Sequence, residues 1–225
     1  MRPAVRLYRS TVGKKVVMAV SGLVLFGFLL MHMYGNLKAF QGPAAINAYA
    51  EHLRTIGQPL LGRGQLLWLV RIILLVSLVA HVAAATQLTL LARSARPVLY
   101  RMAPRLEQSY ASRTMRWGGV IIFLYAVYHL MHFTWGNAHA SFIPGDVYHN
   151  LVTGFQAWPI TVVYVAATGV VGLHLYHGVW SALQSMGINH PRYNRHRRTA
   201  AAVLAGLVTV GFVAVPVSVV AGVLR

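Results

Sequence analysis

The chain is 225 residues long, 57% hydrophobic and only 10% charged, and its mean hydropathy of +0.57 excludes an ordinary soluble domain of this size. Its 20 Lys and Arg stand against 3 Asp and Glu; because the basic residues lie almost wholly between apolar runs, they orient membrane segments, and a nucleic-acid partner is not expected. With no cysteine, the chain excludes disulfides, thiolate-held iron–sulfur clusters and thiol nucleophiles.

Five apolar segments follow one another at about 15–36, 64–91, 117–136, 158–183 and 199–223. Each is long enough, at ~1.5 Å per residue, to cross a hydrocarbon core of roughly 30 Å. The expectation is a single all-α integral membrane domain over residues 1–225. Arg2, Arg6, Arg9, Lys14 and Lys15 precede the first segment without a small-residue cleavage pattern after it, so it reads as a retained helix. Between the first two segments, Phe40 to Arg54 contains Pro43 and an Ala-rich amphipathic register, which predicts a short interfacial helix bearing Glu51, His52 and Arg54. Arg71 is the one charge deep in an apolar segment.

Loop charge predicts topology. The basic N-terminus, residues 92–116 (Arg93, Arg96, Arg101, Arg105, Arg113, Arg116) and residues 184–198 (Arg192, Arg195, Arg197, Arg198) belong on the cytoplasmic side. Residues 137–157 carry Asp146 and no Lys or Arg, and read as an outer loop. Five crossings leave Arg225 outside.

Six of the 11 histidines fall in the apolar segments: His32, His81, His129, His132, His174 and His177. Hydrocarbon offers an imidazole no hydrogen bond, so such groups face the protein interior. Counted from the segment ends, His32 and His129 share a layer near the outer surface, and His81 and His174 share one nearer the inner surface, on the order of 10 Å away. Facing imidazoles are a common way to hold six-coordinate haem iron in a helix bundle. The first four segments therefore read as a haem-binding bundle for two b haems, and the histidine-free fifth as peripheral. Gly22, Gly27, Gly169, Gly172 and Gly178 leave room for a flat macrocycle or for close helix packing. His132 and His177, each three residues beyond a candidate ligand, suit haem propionates, as does Arg71; His132 also suits a quinone.

The runs Lys15–Gly22, His32-Met-Tyr-Gly-Asn36, His81, Arg116-Trp-Gly-Gly-Val120, His129 and His174-Leu-Tyr-His-Gly-Val-Trp-Ser181 resemble the dihaem cytochrome b anchor of succinate:menaquinone oxidoreductases, the five-helix single-subunit type of bacteria. The resemblance implies His81 and His174 as axial ligands of a proximal haem, and His32 and His129 of a distal one. It implies a flavoprotein subunit that oxidises succinate, an iron–sulfur subunit docked on the inner face, a bacterial cytoplasmic membrane, and menaquinone as electron acceptor; a higher oligomer of the complex is open. Quinone is expected at the outer surface among Tyr34, Glu51, His52 and Arg54, with an inner site near Trp180 and Ser181 as the alternative. Two other readings remain at this point: the haem anchor of a different respiratory dehydrogenase, and a haem-free transporter or scaffold whose histidines bond neighbouring helices.

Overall fold

The computed structural model describes residues 8–95, 110–188 and 190–225. Arg2, Arg6, Arg96, Arg101 and Arg105 lie outside them. The described chain is helical, with no strand among the described residues. Its elements are α1 (Thr11–Leu37), a 3-10 turn (Lys38–Gln41), α2 (Pro43–Thr55), α3 (Gln65–Ser94), α4 (Tyr110–Phe133), α5 (Val147–Gln156), α6 (Trp158–Ser185) and α7 (Pro191–Val220).

The helix starts follow local chemistry. Ser10 caps α1 by accepting from the Gly13 amide at 2.9 Å. Prolines, whose missing N–H costs nothing there, stand in the first turns of α2, α6 and α7. Gly42, at φ 92°, supplies the left-handed residue that lets the 3-10 turn swing into α2. A short helix expected around Phe40 to Arg54 is thus present as α2. α5 was not expected, since residues 137–157 read as a loop.

α1, α3, α6 and α7 are long and apolar enough to cross a membrane, and the chain is a multi-pass membrane protein. α4 spans 24 residues but is diluted by Tyr, His, Trp and Gly, so it lacks the uniform hydropathy of the other four. Exposed Trp68, Ile72, Leu75, Val79, Trp117, Val120 and Leu124 give α3 and α4 the apolar outer face that lipid stabilises and water would not.

Close packing joins α1 to α3, α4 to α6, α1 to α6, and α7 to both α6 and α1. The α6–α7 and α1–α7 contacts depend on small residues. A Cβ on Gly172 would collide with Thr209, and one on Gly211 with Met33. The pairs α3–α6 and α1–α4 are not among the close-packed ones; they meet through imidazole rings. One end of the bundle carries Lys14, Lys15, Arg93, Arg116 and the arginines at the start of α7. The other is closed by α2 and α5 over a core of Ala39, Ile46, Leu151, Phe155, Tyr164, Val215 and Val219.

Candidate functional site

The basic-end site begins with His81 on α3. Its Nδ1–H donates to the Met18 carbonyl of α1 at 3.0 Å, with the Ser21 hydroxyl 3.4 Å from the same nitrogen. This fixes the tautomer and turns Nε2 away from α1. Gly22 makes the approach possible, because a Cβ there would stand 3.1 Å from His81 Cε1. Across the bundle, His174 of α6 faces His81 with ring centroids 6.2 Å apart. His174 Nδ1 is buried with no hydrogen-bond partner among the described residues. A cavity of about 180 Å³, lined by Thr114, Met115, Trp117, Gly118, Ile121, Val170 and Leu173, opens beside this ring.

The capped-end site pairs His32 of α1 with His129 of α4, ring centroids 5.7 Å apart and nearly perpendicular at 84°. His32 stacks on Phe28 at 5.3 Å and touches Phe212 of α7 at 5.7 Å. The histidine-free helix thus supplies a wall to this site. His129 Nδ1, like that of His174, is buried and unpartnered among the described residues. Its ring sits among Tyr125 (6.1 Å), Phe133 (5.8 Å) and Tyr164 (6.0 Å).

Both pairs expected from depth in the membrane are therefore brought together, each ring belonging to a different helix. Among the described residues no group of three or more His, Cys, Asp or Glu could hold a metal ion. Two opposed imidazoles suit instead a metal that arrives with ligands of its own, as iron does in a porphyrin. Ring centroids about 6 Å apart leave room for such a metal between the rings, and the buried Nδ1 atoms of His129 and His174, without a partner among the described residues, mark the pockets as built for more than packing. The residues present fit haem.

The remaining candidates are placed as follows. His132 is 1% exposed, and its Nδ1 shares a hydrogen bond of 3.0 Å with the Tyr164 hydroxyl. It stacks on Tyr128 at 5.6 Å and on His139 at 4.9 Å. His177 lies edge-on to Trp180 at 5.6 Å; both His177 Nδ1 and Trp180 Nε1 are buried without a partner among the described residues, and Arg198 lies over the Trp180 ring at 5.0 Å. Arg71 is exposed, its guanidinium 4.8 Å from the Trp68 ring centroid. Tyr34 is exposed, edge-on to Tyr49 at 5.9 Å and under the Lys38 ammonium. Glu51 receives both bonds of Arg63, at 2.7 and 2.9 Å, with Arg54 3.6 Å away, and His52 is exposed in the last turn of α2. Neither the cavity beside His174 nor one of about 300 Å³ at the capped end, lined by Pro43, Asp146, Tyr148, His149, Thr153 and Arg225 among others, is lined by Tyr34, Glu51, His52 or Arg54.

Sequence reasoning missed Tyr125, Tyr128 and Tyr164. The first two were within reach: 125, 128, 129 and 132 are spaced by three and four, one aromatic ridge along α4. Tyr164 comes from another helix and carries no such signal.

Comparison with curated proteins gave no match, and neither did comparison with solved structures. A family model does match, over residues 89–214, a span that includes His129 and His174 and ends before α7 does. That covers more than half of the chain, which therefore belongs to the succinate dehydrogenase/fumarate reductase transmembrane subunit family.

Proposed function

We propose that the chain is the five-span, dihaem cytochrome b anchor of a bacterial succinate dehydrogenase, with α4 as the fifth crossing and the basic end on the cytoplasmic side. The single observation that carries this reading is the pair of imidazole couples, His81 with His174 and His32 with His129, at two levels of one bundle. His81 and His174 would hold the inner haem and His32 and His129 the outer. Bound haem iron supplies one-electron redox chemistry between an iron–sulfur subunit and menaquinone.

The chain's own part is to hold, orient and shield. Met18 and Ser21 aim the His81 ring. Phe28, Phe212, Tyr125, Phe133 and Tyr164 surround the outer couple with rings that exclude water and lower the local dielectric, which tunes a haem through burial. Arg93, Arg116, Arg192, Arg195 and Arg198 form the basic end on which an iron–sulfur subunit docks, with the flavoprotein beyond it. The N-terminus is cytoplasmic and Arg225 outside.

The deciding experiment is a pyridine haemochrome assay on the purified chain, expected to give two b haems. His81→Ala and His174→Ala should each lose the inner one, and His32→Ala and His129→Ala the outer. A colourless, correctly inserted chain, or loss of the same haem in His32→Ala and His174→Ala, would refute the pairing.

For quinone, the outer region from Tyr34 to Arg54 offers an aromatic wall and, in Glu51, a carboxylate bonded by Arg63 that would relay protons. A second location is favoured by a specific observation: at the basic end His177 and Trp180 present two buried nitrogens that have no partner among the described residues, beside the level of His174. The two are separated by Glu51→Gln and Trp180→Phe, of which only the one lining the working site should cut quinone reduction while leaving succinate-dependent dye reduction intact.

A further inference from the structure

His81 and His129 are held by different means. The ring of His81 is steered by a hydrogen bond to Met18, the usual arrangement for a ligating histidine. Among the described residues His129 has no such bond, and its buried Nδ1 has no partner. Among the described residues it is restrained by neighbouring rings alone. Of these, Tyr164 is 4% exposed and also packs edge-on against Tyr125 at 5.2 Å and Phe155 at 5.0 Å. Among the described residues, the one polar contact that fixes its ring is the hydrogen bond of its hydroxyl to His132 Nδ1.

His132 is in turn immobilised from three sides. Tyr128 stacks on it at an interplanar angle of 14°, His139 at 26°, and the Phe133 ring lies 4.2 Å away. His139 is itself tied down, its Nε2 donating to the Asn150 carbonyl at 2.9 Å and its Nδ1 accepting from the Ser141 amide at 3.1 Å. Gly154 of α5 lies directly over the stack, since a Cβ there would stand 3.0 Å from both His132 and His139. A continuous packed path therefore runs from the capping helix α5 through His139, His132 and Tyr164 to the face of His129.

We propose that Tyr164, locked by its hydrogen bond to His132, is a positioning residue that sets the ring plane of His129, doing by packing what Met18 does for His81 by hydrogen bonding. The inference rests on the reading that His129 holds the outer haem. Ring orientation is a property of the ligand that a low-spin ferric haem reports directly in its electron paramagnetic resonance, independent of turnover.

The test uses the full chain in its assembled complex, with the outer signal identified as the one lost in His129→Ala. Tyr164→Phe keeps the packed ring and deletes only the hydroxyl. Its outer signal is expected to shift while the inner signal and the haem content stay as in the unsubstituted chain. His132→Phe should shift the same signal, and the double variant no further, because the two side chains act as one unit. An unchanged outer signal in Tyr164→Phe, or equal shifts of both signals, overturns the inference. Should Tyr164→Phe not accumulate, His132→Gln, which still offers the hydroxyl a partner, is compared with His132→Leu: the outer signal should stay nearer the parental position in the former, and identical signals overturn the idea. If the unsubstituted chain has no signal that depends on His129, the ligation itself fails and takes this inference with it, whereas a haem that is present but indifferent to Tyr164 leaves the ligation standing.

Discussion

Gly22 and Gly27 lie five residues apart on α1 and give opposite predictions. Replacing helical Gly by Ala ordinarily favours the helix by about 1 kcal/mol. At Gly27 no described residue lies within 4 Å of the added carbon, so Gly27→Ala should fold with slightly raised thermal stability, and a loss of haem in it would mark that open space as the macrocycle's. At Gly22 the carbon would press on His81 Cε1 at 3.1 Å. Gly22→Ala should therefore displace the ring from its bond to Met18 and perturb the inner haem alone, which optical and paramagnetic spectra of the two variants would show. The histidines were legible in the sequence because an imidazole in an apolar run is costly without a purpose, and their depths could be counted along straight helices. The groups that orient them were not. Met18 acts through a backbone carbonyl, which every residue has, and Tyr164 is brought to His129 only by the packing of α4 on α6. The general expectation that the glycines make room resolved into separate uses: Gly22 for a histidine ring, and Gly172 for Thr209 of a neighbouring helix.

The short helices at the capped end are where sequence and structure differ most. α2 was legible from Pro43 and the amphipathic register after it. α5 was not, because a ten-residue helix is marginal by itself and its stabilising contacts come from far along the chain. Asp146 caps α5 by accepting from the His149 amide at 3.0 Å, and the same oxygen accepts from Asn47 of α2 at 3.0 Å, while the Asn47 carbonyl oxygen accepts from the Tyr148 amide at 3.1 Å. These bonds, the His149 amide foremost and Asn47 next, hold the Asp146 carboxyl below its ordinary value. A group depressed in the folded state contributes stability above its unfolded pKa and loses it as pH falls through the folded one. The clasp should thus be intact at neutral pH and weaken only below about pH 4. Asp146→Ala should cost about 1 kcal/mol as a lost cap, seen as faster hydrogen exchange in α5 at pH 7, and should abolish the acid-dependent part of that exchange. Exchange in α5 that is insensitive to the substitution would show that burial of Leu151, Val152 and Phe155 alone holds the helix.

At the scale of the whole molecule, the charge asymmetry read from the sequence is realised as a basic end and a capped end, although part of the basic loop lies outside the described residues. Reversing Arg192, Arg195 and Arg198 to Glu should weaken co-purification of the iron–sulfur subunit without altering either haem spectrum; full co-purification would leave these arginines with topology as their only role. Of the five apolar segments read from hydropathy, four are helices long and apolar enough to cross a membrane, and α4 is the weakest by composition, since the aromatic and imidazole groups that build the capped-end site displace aliphatic ones. The pattern of helix contacts has a further consequence. α1 and α3 each contribute one histidine to a different couple, and α4 and α6 contribute the other two, so a cut between α3 and α4 would leave each fragment with half of both sites. Expressed separately, the two fragments should insert into the membrane as colourless polypeptides. Expressed together, they can find one another through the α1–α6 and α1–α7 contacts, and the appearance of colour would then report fragment complementation, making pigment a direct readout of tertiary assembly.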